Sequence, residues 1–172
     1  MSRAQVINLS YSKETGFQNS TMLPRTDEKI ERLLIHPPFH VAIAGPFLRR
    51  KVEKLPIIDS FEHLSLGQRI RAFQILGFVA HAYIWGNEKT KEMNELPPQL
   101  ARPLEKLGQE IGIAPLATYA TTVLWNCSLK DTSKPWVPEN VIVDTTFTNT
   151  DAEKKFYAIR YGLNRVVAKV MD

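Results

Sequence analysis

An all-α fold is predicted by two apolar patterns at helical spacing and by the capping signals that introduce them. Ile70, Phe73, Leu76, Gly77, Ala80, Tyr83 and Ile84 recur at intervals of three and four between Ser65 and Trp85, the period of one buried helix face. Phe156, Ile159, Leu163, Val166, Val167 and Val170 repeat that pattern over residues 152–172. Ser65-Leu66-Gly67-Gln68 and Thr150-Asp151-Ala152-Glu153 each place Gln or Glu three residues after a hydroxyl. That is the capping box, in which side chain and backbone satisfy each other at a helix start.

Taken in order, residues 1–25 lack a helical period and read as an extended lead-in. Asp27 to Ile35 suits a short helix that Pro37-Pro38 must end, because proline removes a donor and clashes with the preceding turn. Phe39 to Lys54 continues as helix with a break expected near Gly45-Pro46. The long helix from Ser65 stops at Gly86. Leu96-Pro97-Pro98 opens the next segment, where Pro103 fits a first helical turn and Leu104, Leu107 and Ile111 form an inner face ending at Gly112. Another helix is expected from Pro115 through Tyr119, Val123 and Leu124. Ser128 to Asn140, with Pro135 and Pro138, reads as loop; Val141-Ile142-Val143 suits either a short strand or an apolar loop segment.

The composition narrows the function classes. Of 172 residues, 44% are hydrophobic and 23% charged, which describes an ordered globular chain with a sizeable core. The net charge of +4 is spread thinly, and its densest spot, Arg49-Arg50-Lys51, is interrupted at Glu53. A nucleic-acid reader needs a basic stripe, so no nucleic-acid partner is expected. The single Cys127 excludes an internal disulfide and a cysteine zinc cluster. Met1 to Gln5 holds no apolar signal, and Ile75 to Trp85 is too short to span a bilayer. A cytoplasmic location with no membrane partner is the expectation.

Four histidines, His36, His40, His63 and His81, invite a metal reading. His36 and His40 are four apart, but Pro37-Pro38 breaks the helical register that would align them, so no metal site is assigned. His81 reads as a hydrogen-bonded core imidazole and Cys127 as a structural thiol. No nucleophile elbow, P-loop or dinucleotide fingerprint occurs. The aromatics Phe73, Phe78, Tyr83, Trp85, Tyr119, Trp125, Phe156 and Tyr157 fit core packing, with a flat pocket for an aromatic ligand as the alternative.

Three blocks carry a family resemblance: Ala82-Tyr83-Ile84-Trp85-Gly86, Leu96-Pro97-Pro98-Gln99-Leu100-Ala101-Arg102-Pro103-Leu104, and Ala117-Thr118-Tyr119-Ala120-Thr121-Thr122-Val123-Leu124-Trp125-Asn126. With Glu14-Thr15-Gly16-Phe17, Arg50-Lys51-Val52-Glu53-Lys54-Leu55 and Phe156-Tyr157 they resemble, in unbroken order, the indoleamine 2,3-dioxygenase family. The resemblance implies an all-helical haem enzyme that opens the pyrrole ring of tryptophan with dioxygen to give N-formylkynurenine. In that family a small domain covers the distal side of the haem, and a larger domain holds the iron through one histidine.

By resemblance, residues 1–148 correspond to the small distal domain and 149–172 to the first helix of a large domain cut short. Tyr119, Thr122, Val123, Phe156, Tyr157 and Arg160 are then the expected substrate and distal haem pocket. Arg160 stands where vertebrate members carry a small hydroxyl residue, and its guanidinium would crowd the pocket or pair with a haem propionate. None of the four histidines matches the proximal ligand. The implied function is therefore haem-dependent opening of the indole ring of tryptophan or a related indole, completed by a C-terminal haem-binding half, with no catalytic residue assigned to this chain. The alternative is a non-catalytic homologue, self-associating as a homodimer through the 152–172 helix or binding a small ligand.

Overall fold

A computed structural model describes residues 41–86, 91–134 and 136–171, with the backbone alone at 41–46 and 165–171. The expected lead-in, the helix over Asp27 to Ile35 and the His36/His40 pair lie outside these residues, as do the side chains of Val166, Val167 and Val170. Among the described residues the chain is mostly helical: α1 (Val41–Glu53), α2 (Leu66–Trp85), α3 (Pro98–Ile111) and α4 (Asp151–Met171). Between α3 and α4 lies a two-stranded antiparallel sheet of β1 (Cys127–Leu129) and β2 (Val141–Val143). No described helix is long and apolar enough to cross a membrane.

Helix α2 is the axis of the core because it is apolar almost all round, and it is buried nearly without interruption from Ile70 to Tyr83. Its start is the predicted capping box: the Gln68 N–H donates to Ser65 Oγ at 3.4 Å, and the Ser65 N–H donates to Gln68 Oε1 at 2.9 Å. Gly86 closes it at φ 61°. The exposed carbonyls at that end are covered from α1. Arg49 donates from Nε to the Tyr83 carbonyl at 3.0 Å and from Nη2 to those of Ile84 at 3.2 Å and Lys91 at 2.8 Å. The first residue of the basic run thus serves as a helix cap rather than as part of a charged surface.

The expected break near Gly45-Pro46 does not occur, and α1 runs through it. Proline there removes one ladder bond, which the packing of Leu48 and Val52 in the α1–α2–α3 core offsets. Similarly, α3 begins at Pro98, so Pro103 lies inside the helix rather than in its first turn. Leu100, Leu104, Leu107 and Ile111 are buried, and left-handed Gly112 (φ 74°) ends the helix, as its position predicts.

No helix starts at Pro115. The chain bends as far as Thr118, where two threonines initiate a turn: the Thr118 N–H donates to Thr121 Oγ1 at 2.8 Å, and the Thr121 N–H to Thr118 Oγ1 at 3.3 Å. The turn then widens into a π-helical segment, Ala120–Leu124, closed by the Trp125 N–H on the Ala120 carbonyl at 2.8 Å. Part of the predicted loop over 128–140 is strand, since Ser128 and Leu129 pair with Ile142 and Val141.

The sheet is tied to α2 by a buried amide network. Gln74 Nε2 donates to Asn126 Oδ1 at 2.8 Å, Asn126 Nδ2 donates to the Thr145 carbonyl at 2.7 Å, and the Thr145 N–H returns to Asn126 Oδ1 at 2.9 Å. At the start of α4 the predicted box is half-formed. The Glu153 N–H donates to Thr150 Oγ1 at 3.3 Å, but the Glu153 carboxylate accepts from the Phe147 and Thr148 N–H groups, each at 2.6 Å. Those bonds fold the preceding loop onto the helix start and bring Phe147 to 4.6 Å from Phe78 of α2, centroid to centroid.

Candidate functional site

Helix α4 has two apolar faces. Tyr157, Ala158 and Tyr161 pack inward with Phe78, Val123, Cys127, Leu129 and Val141. Phe156, Ile159 and Leu163 are each about half exposed on the other side. A 100° step per residue turns these two sets roughly back to back. The described members of the sequence stripe, Phe156, Ile159 and Leu163, are therefore not on the face by which this part of α4 joins its own core.

Three of the expected pocket residues share that outer face. Tyr119 is 48% and Phe156 51% exposed. The Arg160 guanidinium carbon lies 5.4 Å from the centre of the Phe156 ring, a cation–π distance. Asn164, one turn beyond Arg160, links the group: its Nδ2 donates to Tyr119 Oη at 2.6 Å and to the Arg160 carbonyl at 2.7 Å. Among the described residues no acidic group pairs with Arg160. The other three lie differently. Val123 and Tyr157 are buried in the core behind this face, at 3% and 6% exposure. Thr122 is half-buried, with its hydroxyl donating to the Thr118 carbonyl at 2.9 Å.

Sequence reasoning missed Asn164, although its spacing of four from Arg160 on a helix was a usable signal. His81 also departs from expectation: it is half-buried, has no hydrogen-bond partner among the described residues, and burial lowers its pKa. Of the aromatics expected in the core, Phe73, Phe78, Tyr83 and Tyr157 are buried, whereas Trp85, Tyr119 and Phe156 are exposed.

Haem is the group the family resemblance implies, and the outer face can be tested against it. Phe156, Ile159, Leu163 and Tyr119 offer flat apolar cover, and Arg160 offers a cation for a propionate. An axial ligand is a different matter. Cys127 and Tyr157 are buried, and burial favours the protonated form of both. Among the described residues no cluster of three His, Cys, Asp or Glu could hold a metal ion. The face fits one side of a haem as cover and supplies no described iron ligand.

Burial pushes the Cys127 thiol from its ordinary 9.0 up to about 12, with the charge of Asp144 adding to it. Tyr157 is raised in the same way, first by burial and then by Glu153. An acid whose folded pKa exceeds its unfolded one contributes full stability below the unfolded value and loses it as pH rises beyond. Stability should therefore decline above about pH 9, where the unfolded thiol begins to ionise. Urea midpoints compared at about pH 8 and about pH 10.5 should show the drop, smaller in Cys127→Ala. Equal slopes in the two proteins would remove Cys127 from the explanation.

Comparison with known proteins adds the following. A family profile described as Indoleamine 2,3-dioxygenase matches residues 13–171. Similar proteins include Indoleamine 2,3-dioxygenase of Saccharomyces cerevisiae, 36% identical over 64% of this chain and 27% of the relative. Indoleamine 2,3-dioxygenase qulI of Penicillium citrinum is 31% identical over 76% of this chain and 30% of its own length. Indoleamine 2,3-dioxygenase 1 of Mus musculus is 33% identical over 69% of this chain and 29% of its own. The chain thus spans under a third of the length of each of these relatives.

Proposed function

The chain belongs to the indoleamine 2,3-dioxygenase family, and from that premise we propose that it forms the distal cover of a cytoplasmic haem dioxygenase acting on tryptophan or a related indole. The reading rests on the outer face of α4, where Tyr119, Phe156 and Arg160 stand together outside the core. Residues 1–148 are the small domain in this reading, and 149–172 lead into the part that binds the iron. That part is a C-terminal half, supplied in continuation or as a second chain.

Haem, when bound, supplies the activation of dioxygen. This chain's residues bind and orient. Phe156 presents an aromatic surface against which an indole ring packs, and stacking fixes the plane of the ring. Ile159 and Leu163 exclude water from the same face, which strengthens every polar contact made inside it. Arg160, held over Phe156, carries the positive charge suited to a propionate or a substrate carboxylate. The bond from Asn164 holds the Tyr119 hydroxyl in place, so the phenol borders the pocket as a fixed wall. No proton transfer is assigned to any of these groups.

Hemin titration tests the reading, first with the purified chain alone and then in a mixture with the separately produced C-terminal part of the Saccharomyces cerevisiae relative. The mixture should give a sharpened Soret band at one haem per complex and convert L-tryptophan to its N-formylkynurenine product. Phe156→Ala should slow turnover about tenfold or more through lost positioning. Tryptophan oxidation by the chain alone would contradict the division of labour. A stable homodimer that takes neither haem nor the second part would favour the self-associating module, for which the half-exposed stripe Phe156, Ile159 and Leu163 is the supporting observation.

A further inference from the structure

Away from the outer face of α4, a shallow groove of about 160 Å³ runs along the sheet edge, lined by Pro138, Glu139, Val141, Val143, Lys154, Lys155 and Ala158. No residue of β1 lines it, and among the described residues β1 is the only strand paired with β2, so no described strand covers the other edge of β2. The register shows what β2 presents there. The bonds from the Lys130 N–H to the Asn140 carbonyl (2.8 Å) and from the Asp144 N–H to the Asn126 carbonyl (2.9 Å) mark the even-numbered pairs as the hydrogen-bonded ones. In an antiparallel ladder the intervening residues then direct their main-chain groups outward. These are Val141 and Val143. The Val141 N–H is used by the Pro138 carbonyl, which leaves the Val141 carbonyl and both main-chain groups of Val143 with no hydrogen bond among the described residues.

We propose that this groove docks an extended peptide segment bearing acidic side chains, which adds to β2 as a third strand. An edge strand with free main-chain groups beside a helix is the arrangement that strand addition uses, with main-chain bonds giving affinity and alternate side-chain pockets giving selectivity. Val141 and Val143 sit two apart, so their side chains share one face and, with Ala158 and Pro138, form an apolar floor. Lys154 and Lys155 stand on the helix side, and among the described residues neither has an ion-pair partner. Glu139 is the single acid on the lining. An acidic segment finds complementary charge here. A second copy of this chain does not, because edge-to-edge pairing would bring two such lysine pairs together.

The test uses the full chain. Random heptapeptides are selected by display on the immobilised protein, and the selected peptides are synthesised. They should alternate apolar residues with Asp or Glu, slow hydrogen exchange at the Val143 amide, and bind the double variant Lys154→Glu/Lys155→Glu about tenfold more weakly. Those substitutions lie near the N-terminal end of α4, where acids suit the helix dipole, so the fold should survive them. Selection of no peptide, equal binding to the double variant, or unchanged exchange at Val143 would each overturn the proposal. Protection of Val143 that grows with protein concentration and without peptide would also overturn it, in favour of a second copy.

Discussion

Replacing Asn126 with alanine should destabilise the protein by about 3–5 kcal/mol, a large share of the whole stability of a domain this size. Asn126 and Gln74 are fully buried. The substitution strands three polar groups at once: Gln74 Nε2, the Thr145 N–H and the Thr145 carbonyl. Each stranded group costs about 1–3 kcal/mol if water cannot reach it, and relaxation recovers part of the sum. Thr145→Val is the matched control, because it removes only the 3.4 Å contact between Thr145 Oγ1 and Arg71 and keeps the main chain bonded. It should cost about 1 kcal/mol or less. Urea unfolding followed by far-ultraviolet circular dichroism separates the two. Similar midpoints for both variants would mean that the network does not join the sheet to α2 as described.

Gly162→Ala should cost about 2–4 kcal/mol, by overpacking and by driving out an aromatic side chain. A β-carbon at Gly162 would lie 1.9 Å from Cζ2 of Trp136 and 2.2 Å from Cη2. Helix α4 cannot yield there, since Tyr161 beside it is 2% exposed and fixed in the core. The indole must therefore leave. The expected signature is a red shift of tryptophan emission together with lower stability. Trp136→Phe should remove most of the shift, which assigns it among the three tryptophans. A Gly162→Ala protein with unshifted emission and an unchanged urea midpoint would refute the contact.

What was legible in the sequence was local. The Ser65 and Gln68 cap, the stops at Gly86 and Gly112 and the buried run of α2 each depend on residues a few positions apart. The parts that were missed depend on distant partners. Cys127-Ser128-Leu129 has no pattern of its own and becomes a strand through its register with Val141-Ile142-Val143. The apolar stripe of α4 was visible, but which side of the helix would be buried was set by small and aromatic residues between its members: Tyr157, Ala158, Tyr161 and Gly162. Periodicity identifies an apolar face without naming its neighbour. The family resemblance covered nearly the whole chain and matched the profile, because it drew on ordered blocks rather than on any single element.

Tyr119 and Val123, four apart, would point the same way on a regular α-helix, yet one is exposed and the other buried. The turn that follows Tyr119 and contains Val123 is π-helical, Ala120–Leu124, and holds one residue more than an α-turn joining the same two points. That surplus residue makes the segment a local counting device. Deleting one position would let the turn close as α while leaving the residues on either side of it nearly in place. Insertion or deletion at this point can thus be absorbed within one turn, without shifting the register of β1 against β2.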